Sequence, residues 1–134
     1  MHWIRLFLIV VACGLAASFT DWLFMGVLFH KKYLETPEIW RNKPGESETK
    51  RIAASSLMGL FSCAVFIILC RWVGALTPRS EIHLAGIVWL CGPVPILFSN
   101  IVWTKMHPLL GVSHSLGWLA RFVLTGLIAG WMLS

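Results

Sequence analysis

Charge is what this sequence has least of. Asp, Glu, Lys and Arg make up 13% of its 134 residues, against about 25% in a water-soluble domain. So little polar side chain cannot coat a water-facing surface, and the excess apolar surface must meet lipid. A water-soluble nucleotide-binding fold is excluded. A secreted disulfide scaffold is excluded too, because the chain has four Cys and none are closely paired. There is no internal repeat and no low-complexity tract. The length limits the chain to a single transmembrane domain, residues 1–134, with about four membrane crossings of about 20 residues each.

Four apolar runs are present, and they predict spans at 3–29, 52–72, 81–103 and 115–133. Each is long enough to cross a hydrocarbon core of about 30 Å at about 1.5 Å per residue. A barrel strand would alternate apolar and polar residues, whereas Phe7 to Gly14 and Val65 to Leu69 are solidly apolar. The fold class is therefore all-α, an integral membrane four-helix bundle.

The connections fit that reading. Residues 30–51 hold ten of the 17 charged residues and form the one water-facing segment. Thr36-Pro37-Glu38 reads as a short helix start, with Ile39 and Trp40 laying it on the membrane surface. Pro44-Gly45 reads as a turn. Ser47, Thr77-Pro78 and Ser113 are expected to cap the second, third and fourth helices. Lys31, Lys32, Arg41, Lys43, Lys50 and Arg51 lie in the first loop and Lys105 in the third, against Arg5, Arg71 and Arg79 opposite. That bias places the 30–51 loop in the cytoplasm and both termini outside. The uncharged end of the fourth helix suits an end pushed across the membrane. The net charge of +5 is mostly this topological signal. With no stacking surface among the bases, it calls for no nucleic acid. Val10-Val11-Ala12-Cys13 also fits the short pattern before a lipid-modified Cys, with Arg5 as the positive segment. The continued apolar run to Phe29 favours an ordinary helical Cys13.

Charged groups within a span face the bundle interior or mark a functional path. Asp21 lies eight residues before Phe29, and Arg121 eight residues after Ser113. Both are thus roughly 12 Å deep from one face, with opposite charge, and a buried Asp21–Arg121 pair is expected. Ser55, Ser56, Ser99, Asn100 and His114 share that half, with His30 and His107 at its boundary. The other half reads as almost purely apolar, with His83 near its edge. Two readings stay open. One is a polar lock that fixes helix register. The other is a binding vestibule of Asp21, Arg121, His114, Asn100 and Ser55, open to the cytoplasm.

Pro93 and Pro95 remove two backbone donors and should kink the third helix. Gly126 and Gly130, and likewise Gly14 and Ser18, are small-xxx-small pairs that let helices approach closely. The contact is either within the bundle or between two copies. Trp3, Trp72, Trp103 and Trp131 read as interfacial anchors. Trp22, Trp89 and Trp118 should pack in the core.

Most chemistry can be set aside. A thiol oxidoreductase needs a Cys-x-x-Cys pair, and Cys13, Cys63, Cys70 and Cys91 supply none. His30, His107 and His114 are the weak candidates for a metal or haem, yet no two are spaced i, i+3 or i, i+4. No nucleophile elbow is present. Nothing here calls for a cofactor.

Trp22-Leu23-Phe24-Met25-Gly26-Val27-Leu28-Phe29, followed by basic residues and Trp40, resembles the first-helix signature of a bacterial membrane family. This is the Domain of Unknown Function family "seventeen sixty-one". Its first helix ends in aromatic–Gly–x–Leu–Phe with a Trp after it. Its last helix often begins with His and carries an Arg shortly before a small-residue stretch, to which His114, Arg121 and Gly126 are similar. The resemblance covers nearly the whole chain, and Asp21 departs from it. It implies a four-span fold in a bacterial inner membrane and no activity.

The expectation is a small multi-pass membrane protein, leaning non-enzymatic. It would bind a small ligand, lipid or ion in the vestibule, or support a partner membrane protein. The alternative is a subunit of an oligomeric transporter or channel. The lipid bilayer is the first partner, and a second copy or a partner membrane protein is the other.

Overall fold

The computed structural model describes residues 3–39 and 47–133. It contains six α-helices: α1 (Trp3–Asp21), α2 (His30–Glu35), α3 (Thr49–Trp72), α4 (Pro78–Cys91), α5 (Pro93–Trp103) and α6 (Pro108–Leu133). A π-helical segment, Trp22–Leu28, continues α1, and a 3-10 turn, Pro37–Ile39, follows α2. Four stretches are long and apolar enough to cross a membrane: Trp3–Leu28, Thr49–Trp72, Pro78–Trp103 and Pro108–Leu133. The expected surface placement of Trp40 and the Pro44-Gly45 turn lie outside the described residues.

All four spans are recovered, but helix ends differ from the apolar boundaries. α3 begins at Thr49 rather than residue 52, because Lys and Arg propagate a helix well and hydropathy marks only its lipid-facing part. Its N-cap residue is Glu48, although Ser47 Oγ accepts the Thr49 N–H at 3.4 Å. α4 starts as expected: Thr77 Oγ1 accepts the Ser80 N–H, and Ser80 Oγ accepts the Thr77 N–H, a closed capping box. α6 starts at Pro108, not 115. Pro suits the first helical position, and His107 Nδ1 accepts the Leu109 N–H at 3.1 Å. Ser113 is thus a buried interior residue and not a cap.

The third span is broken where its prolines stand. α4 ends at Cys91, Gly92 takes φ −111° and ψ −87°, and α5 resumes with Pro93 in its first turn. Without an N–H on Pro93 or Pro95, the regular ladder cannot pass this point.

α6 is the centre of the bundle and packs against α4, α1, α5 and α3. One core cluster joins Ile9, Cys13 and Ala17 of α1 to Cys63 and Ile67 of α3 and Ala129 of α6. A second joins Phe66 and Cys70 of α3 to Ala85 of α4 and Phe122 of α6. The small residues decide who meets whom. A Cβ on Gly14 would strike Leu60 of α3, and one on Gly111 would strike Ile101 of α5. Gly126 and Gly130 face Glu81 of α4, so this pair packs within the bundle. Ser18 is exposed and takes no part in the Gly14 contact.

Trp3, Trp72, Trp103 and Trp131 are all largely exposed at helix ends, as interfacial anchors should be. Trp89 is half-buried, its Nε1 donating to the Ser115 carbonyl at 2.8 Å. Trp118 is half-buried beside Phe122. Trp22 departs from expectation at 59% exposed. It opens the π segment, whose wider i→i+5 turn changes the rotation of the residues along it.

Candidate functional site

Call the end of the bundle near residues 29–39, 47–48 and 104–107 the loop end, and the end near residues 73–77 the turn end. The candidate site lies in the loop-end half and is assembled around α6. Along that helix, Ser113, Gly117, Arg121 and Thr125 recur every four residues and are all buried, so they share one stripe.

Arg121 is the centre of the site. Its Nη2 donates to Asp21 Oδ2 at 2.6 Å, with the Arg121 side chain 8% exposed and that of Asp21 33% exposed. The guanidinium also lies over the Trp118 ring, 4.3 Å from its centroid. Its Nε is buried with no hydrogen-bond partner among the described residues. The ion pair therefore neutralises the charge but does not exhaust the five donors of the group.

Beside the pair is a cavity of about 210 Å³. Asp21, Arg121, His114 and Ser55 line it, with Phe24, Met25, Met58 and Trp118 supplying apolar wall. Gly117 lines it too, and a Cβ built there would meet nothing within 4 Å. Four residues that the sequence brought together by depth thus share one cavity.

Asn100 does not. Its carbonyl accepts the Thr104 N–H and hydroxyl at the end of α5, and it is not among the cavity residues. The neighbouring Ile101 is the residue that meets α6 at Gly111, which sets Asn100 one position round the helix. The three histidines also part company. His30 is exposed at the start of α2, His107 caps α6, and His114 is half-buried in the cavity wall. Among the described residues no three His, Cys, Asp or Glu side chains converge closely enough for a metal ion.

Tyr33 was invisible as a site residue in a segment read as a basic water-facing loop. α2 carries it back onto α6, where it is buried. Its hydroxyl donates to Ser113 Oγ at 3.2 Å and stands 3.2 Å from His114 Nε2, the two rings meeting edge to face. Burial pushes the Tyr33 phenol above its ordinary value of 10.0. Lys32 and Glu35 on α2 form an exposed pair at 2.8 Å, and Lys32 holds the Glu35 carboxyl below its usual range. The one cue was that the chain's single tyrosine lies just beyond the first span.

The turn-end half also holds something the sequence did not announce. It was expected to be almost purely apolar, yet Glu81 is 1% exposed there, between α4 and the glycines of α6. An acid in the first turn of a helix ordinarily answers the helix dipole at the surface, which is why this position drew no notice. Cys13, Cys63, Cys70 and Cys91 are all free thiols. Thr125 Oγ1 donates to Cys63 Sγ at 3.4 Å, and Cys13 Sγ donates to the Thr125 carbonyl at 3.8 Å. Cys13 is thus a helix residue packed in the core.

No curated protein and no solved structure matches the chain. The family model described as "Protein of unknown function (DUF1761)" matches residues 8–130, from the first turns of α1 to the last turn of α6. That span includes both members of the Asp21–Arg121 pair and every residue of the cavity, and the chain belongs to the DUF1761 family.

Proposed function

We propose that the protein is a non-enzymatic, multi-pass protein of a bacterial inner membrane, with the loop end in the cytoplasm, that binds a small amphipathic ligand beside Arg121. One observation carries this reading. Asp21, Arg121, His114 and Ser55, from three separate spans, converge on one cavity whose remaining wall is apolar. A mostly apolar cavity with a few convergent polar groups is the usual form of a small-molecule site. The volume of about 210 Å³ is below the roughly 300–1,000 Å³ of drug-sized pockets. It suits a compact polar head with a short apolar part. The free donor capacity of Arg121 would hold an acceptor oxygen of that head. Met25, Met58 and Phe24 would cover the apolar part.

Gly117 supplies the test, because its missing side chain opens directly into free space. Wild-type protein and Gly117→Leu are purified in mild detergent and their bound small molecules are extracted and compared by mass spectrometry. The expected result is a species present with the wild type and depleted at least about tenfold in the variant, with unfolding temperature little changed. A folded Gly117→Leu protein that retains the same species, or a wild type that carries none, overturns the reading.

A second reading has its own support. The break at Gly92 divides the third span into α4 and α5, and discontinuous helices are a feature of transporters. A four-helix monomer has too little interior for a continuous pathway, so this reading requires an oligomer. A monomeric mass in detergent and in lipid nanodiscs would exclude it.

A further inference from the structure

Glu81 is the most deeply buried acidic side chain among the described residues. It lies one turn into α4, with its carboxyl directed against α6. There the two glycines form a slot. A Cβ on Gly126 would lie 3.1 Å from Glu81 Cβ, and a Cβ on Gly130 would overlap the Glu81 carboxyl oxygen. The absent side chains of α6 are what make room for the acid.

Among the described residues, nothing in the slot bonds to the carboxyl. Glu81 Oε2 is buried and has no hydrogen-bond partner among the described residues. α6 presents glycine there, flanked by Thr125 and Ala129. Cys13 of α1 and Cys70 of α3 are buried free thiols on other helices that pack against α6. On its own helix Arg79 and His83 are exposed, as is Arg71 at the end of α3. Arg5 of α1 donates to the Met132 carbonyl at the end of α6. Arg121 is engaged with Asp21.

An ionised carboxylate in such surroundings carries an uncompensated desolvation cost. A neutral carboxylic acid does not. Ionisable residues within membrane spans are rare, and proton relays are among the functions they mark. We propose that Glu81 is a proton-binding site of the bundle, holding its proton as a neutral acid in the Gly126–Gly130 slot and exchanging it with water at the turn end. Releasing the proton leaves a charge that the closed slot does not accommodate. Deprotonation therefore favours separation of α4 from α6, and protonation favours their contact. The ligand is the proton, and the balance is one proton bound or released with no other bond made or broken.

Hydrophobic carbodiimides react with protonated carboxyl groups in apolar surroundings and test the assignment in the unaltered protein. Membranes are treated with dicyclohexylcarbodiimide across a pH series, and the adduct is located by peptide mass spectrometry. Glu81 should be modified, with the yield falling at least about tenfold between pH ~6 and pH ~9 as the acid ionises. A yield at Glu81 that does not change with pH, or modification confined to other carboxyls, overturns the proposal.

A second measurement stands apart from reagent access. The infrared difference spectrum between wild type and Glu81→Gln should contain the carbonyl band of a protonated carboxylic acid at about neutral pH, shifted in heavy water. Carboxylate bands in its place overturn the proposal. Gln has the shape of the protonated acid, so this variant should fold, and between pH ~6 and pH ~9 its unfolding temperature should fall less than that of the wild type, in which Glu81 ionises. Neither readout depends on the cavity beside Arg121, so the two proposals fail separately.

Discussion

Asp21 and Arg121 meet at 2.6 Å although they are 100 residues apart in the chain. Their burial is unequal: the Arg121 side chain is 8% exposed and that of Asp21 33%. Removing one partner of a buried pair leaves the other charge uncompensated, at a cost of about 3–5 kcal/mol. The loss should therefore be larger for Asp21→Asn, which strands the buried guanidinium, than for Arg121→Leu, which strands a carboxylate that still reaches the cavity. The double variant should recover most of the loss. Unfolding temperature and folded yield in detergent read all three. Equal damage from both singles and the double would mean that the pair contributes no coupling.

Gly130 should tolerate substitution only when Glu81 is shortened. A Cβ at Gly130 overlaps the Glu81 carboxyl, and overpacking of this kind costs about 1–3 kcal/mol. Gly130→Ala alone should lower the unfolding temperature, and Gly130→Ala with Glu81→Ala should restore much of it. Gly126→Ala should be milder, because its nearest neighbour is 3.1 Å away. If Glu81→Ala gives no relief, the two groups do not share a slot.

Tyr33 gives a pH-dependent readout that one absorbance can follow, because it is the chain's only tyrosine. Burial raises its phenol above the ordinary 10.0, and the charge of Asp21 adds to the effect. In the native state the ultraviolet phenolate signal should therefore appear at higher pH than in denatured protein. The folded state holds the proton where the unfolded chain has lost it, so the unfolded state binds fewer protons and stability falls as pH rises. The contribution is complete below about pH 10 and is lost as pH rises through the native value. Tyr33→Phe should abolish the signal and cost about 0.5–1.5 kcal/mol for its hydrogen bonding. Coincident native and denatured titrations would show that the phenol is not buried.

The break at Gly92 should depend on the prolines. In Pro93→Ala/Pro95→Ala both N–H groups return, and α4 can run on into α5. Spin labels at the exposed positions Ile82 and Phe98 should then report a longer and narrower distance distribution than in the wild-type background. An unchanged distribution would assign the break to packing against α6 instead of to the missing donors.

Much of this protein follows from residue types and spacing alone. Low charge requires a membrane, and four apolar runs of sufficient length require four spans, since a backbone in lipid must satisfy its own hydrogen bonds. The Asp21–Arg121 pair was also legible, through depth. One of its two reference points holds, because the first span ends at Leu28, and the other does not, because α6 starts at Pro108 and Ser113 lies inside it. The pair itself forms, with Arg121 Nη2 against Asp21 Oδ2. Thr77-Pro78 and the Pro93/Pro95 break were legible because capping and missing donors act within a few residues of the chain.

What the tertiary structure alone decided is which side of each helix meets which neighbour. Sequence spacing places residues on a face, but in a span that is apolar all round no polar stripe marks the face that turns inward. That is why Trp22 faces outward and Asn100 leaves the cavity. Tyr33 returns from the loop to Ser113 because α2 packs on α6, a contact between segments 80 residues apart. Glu81 reads as an ordinary first-turn acid until Gly126 and Gly130 are seen to lie opposite it. Its burial belongs to two helices at once, and the energy of a charge in a membrane is set by what surrounds it and not by its place in the chain.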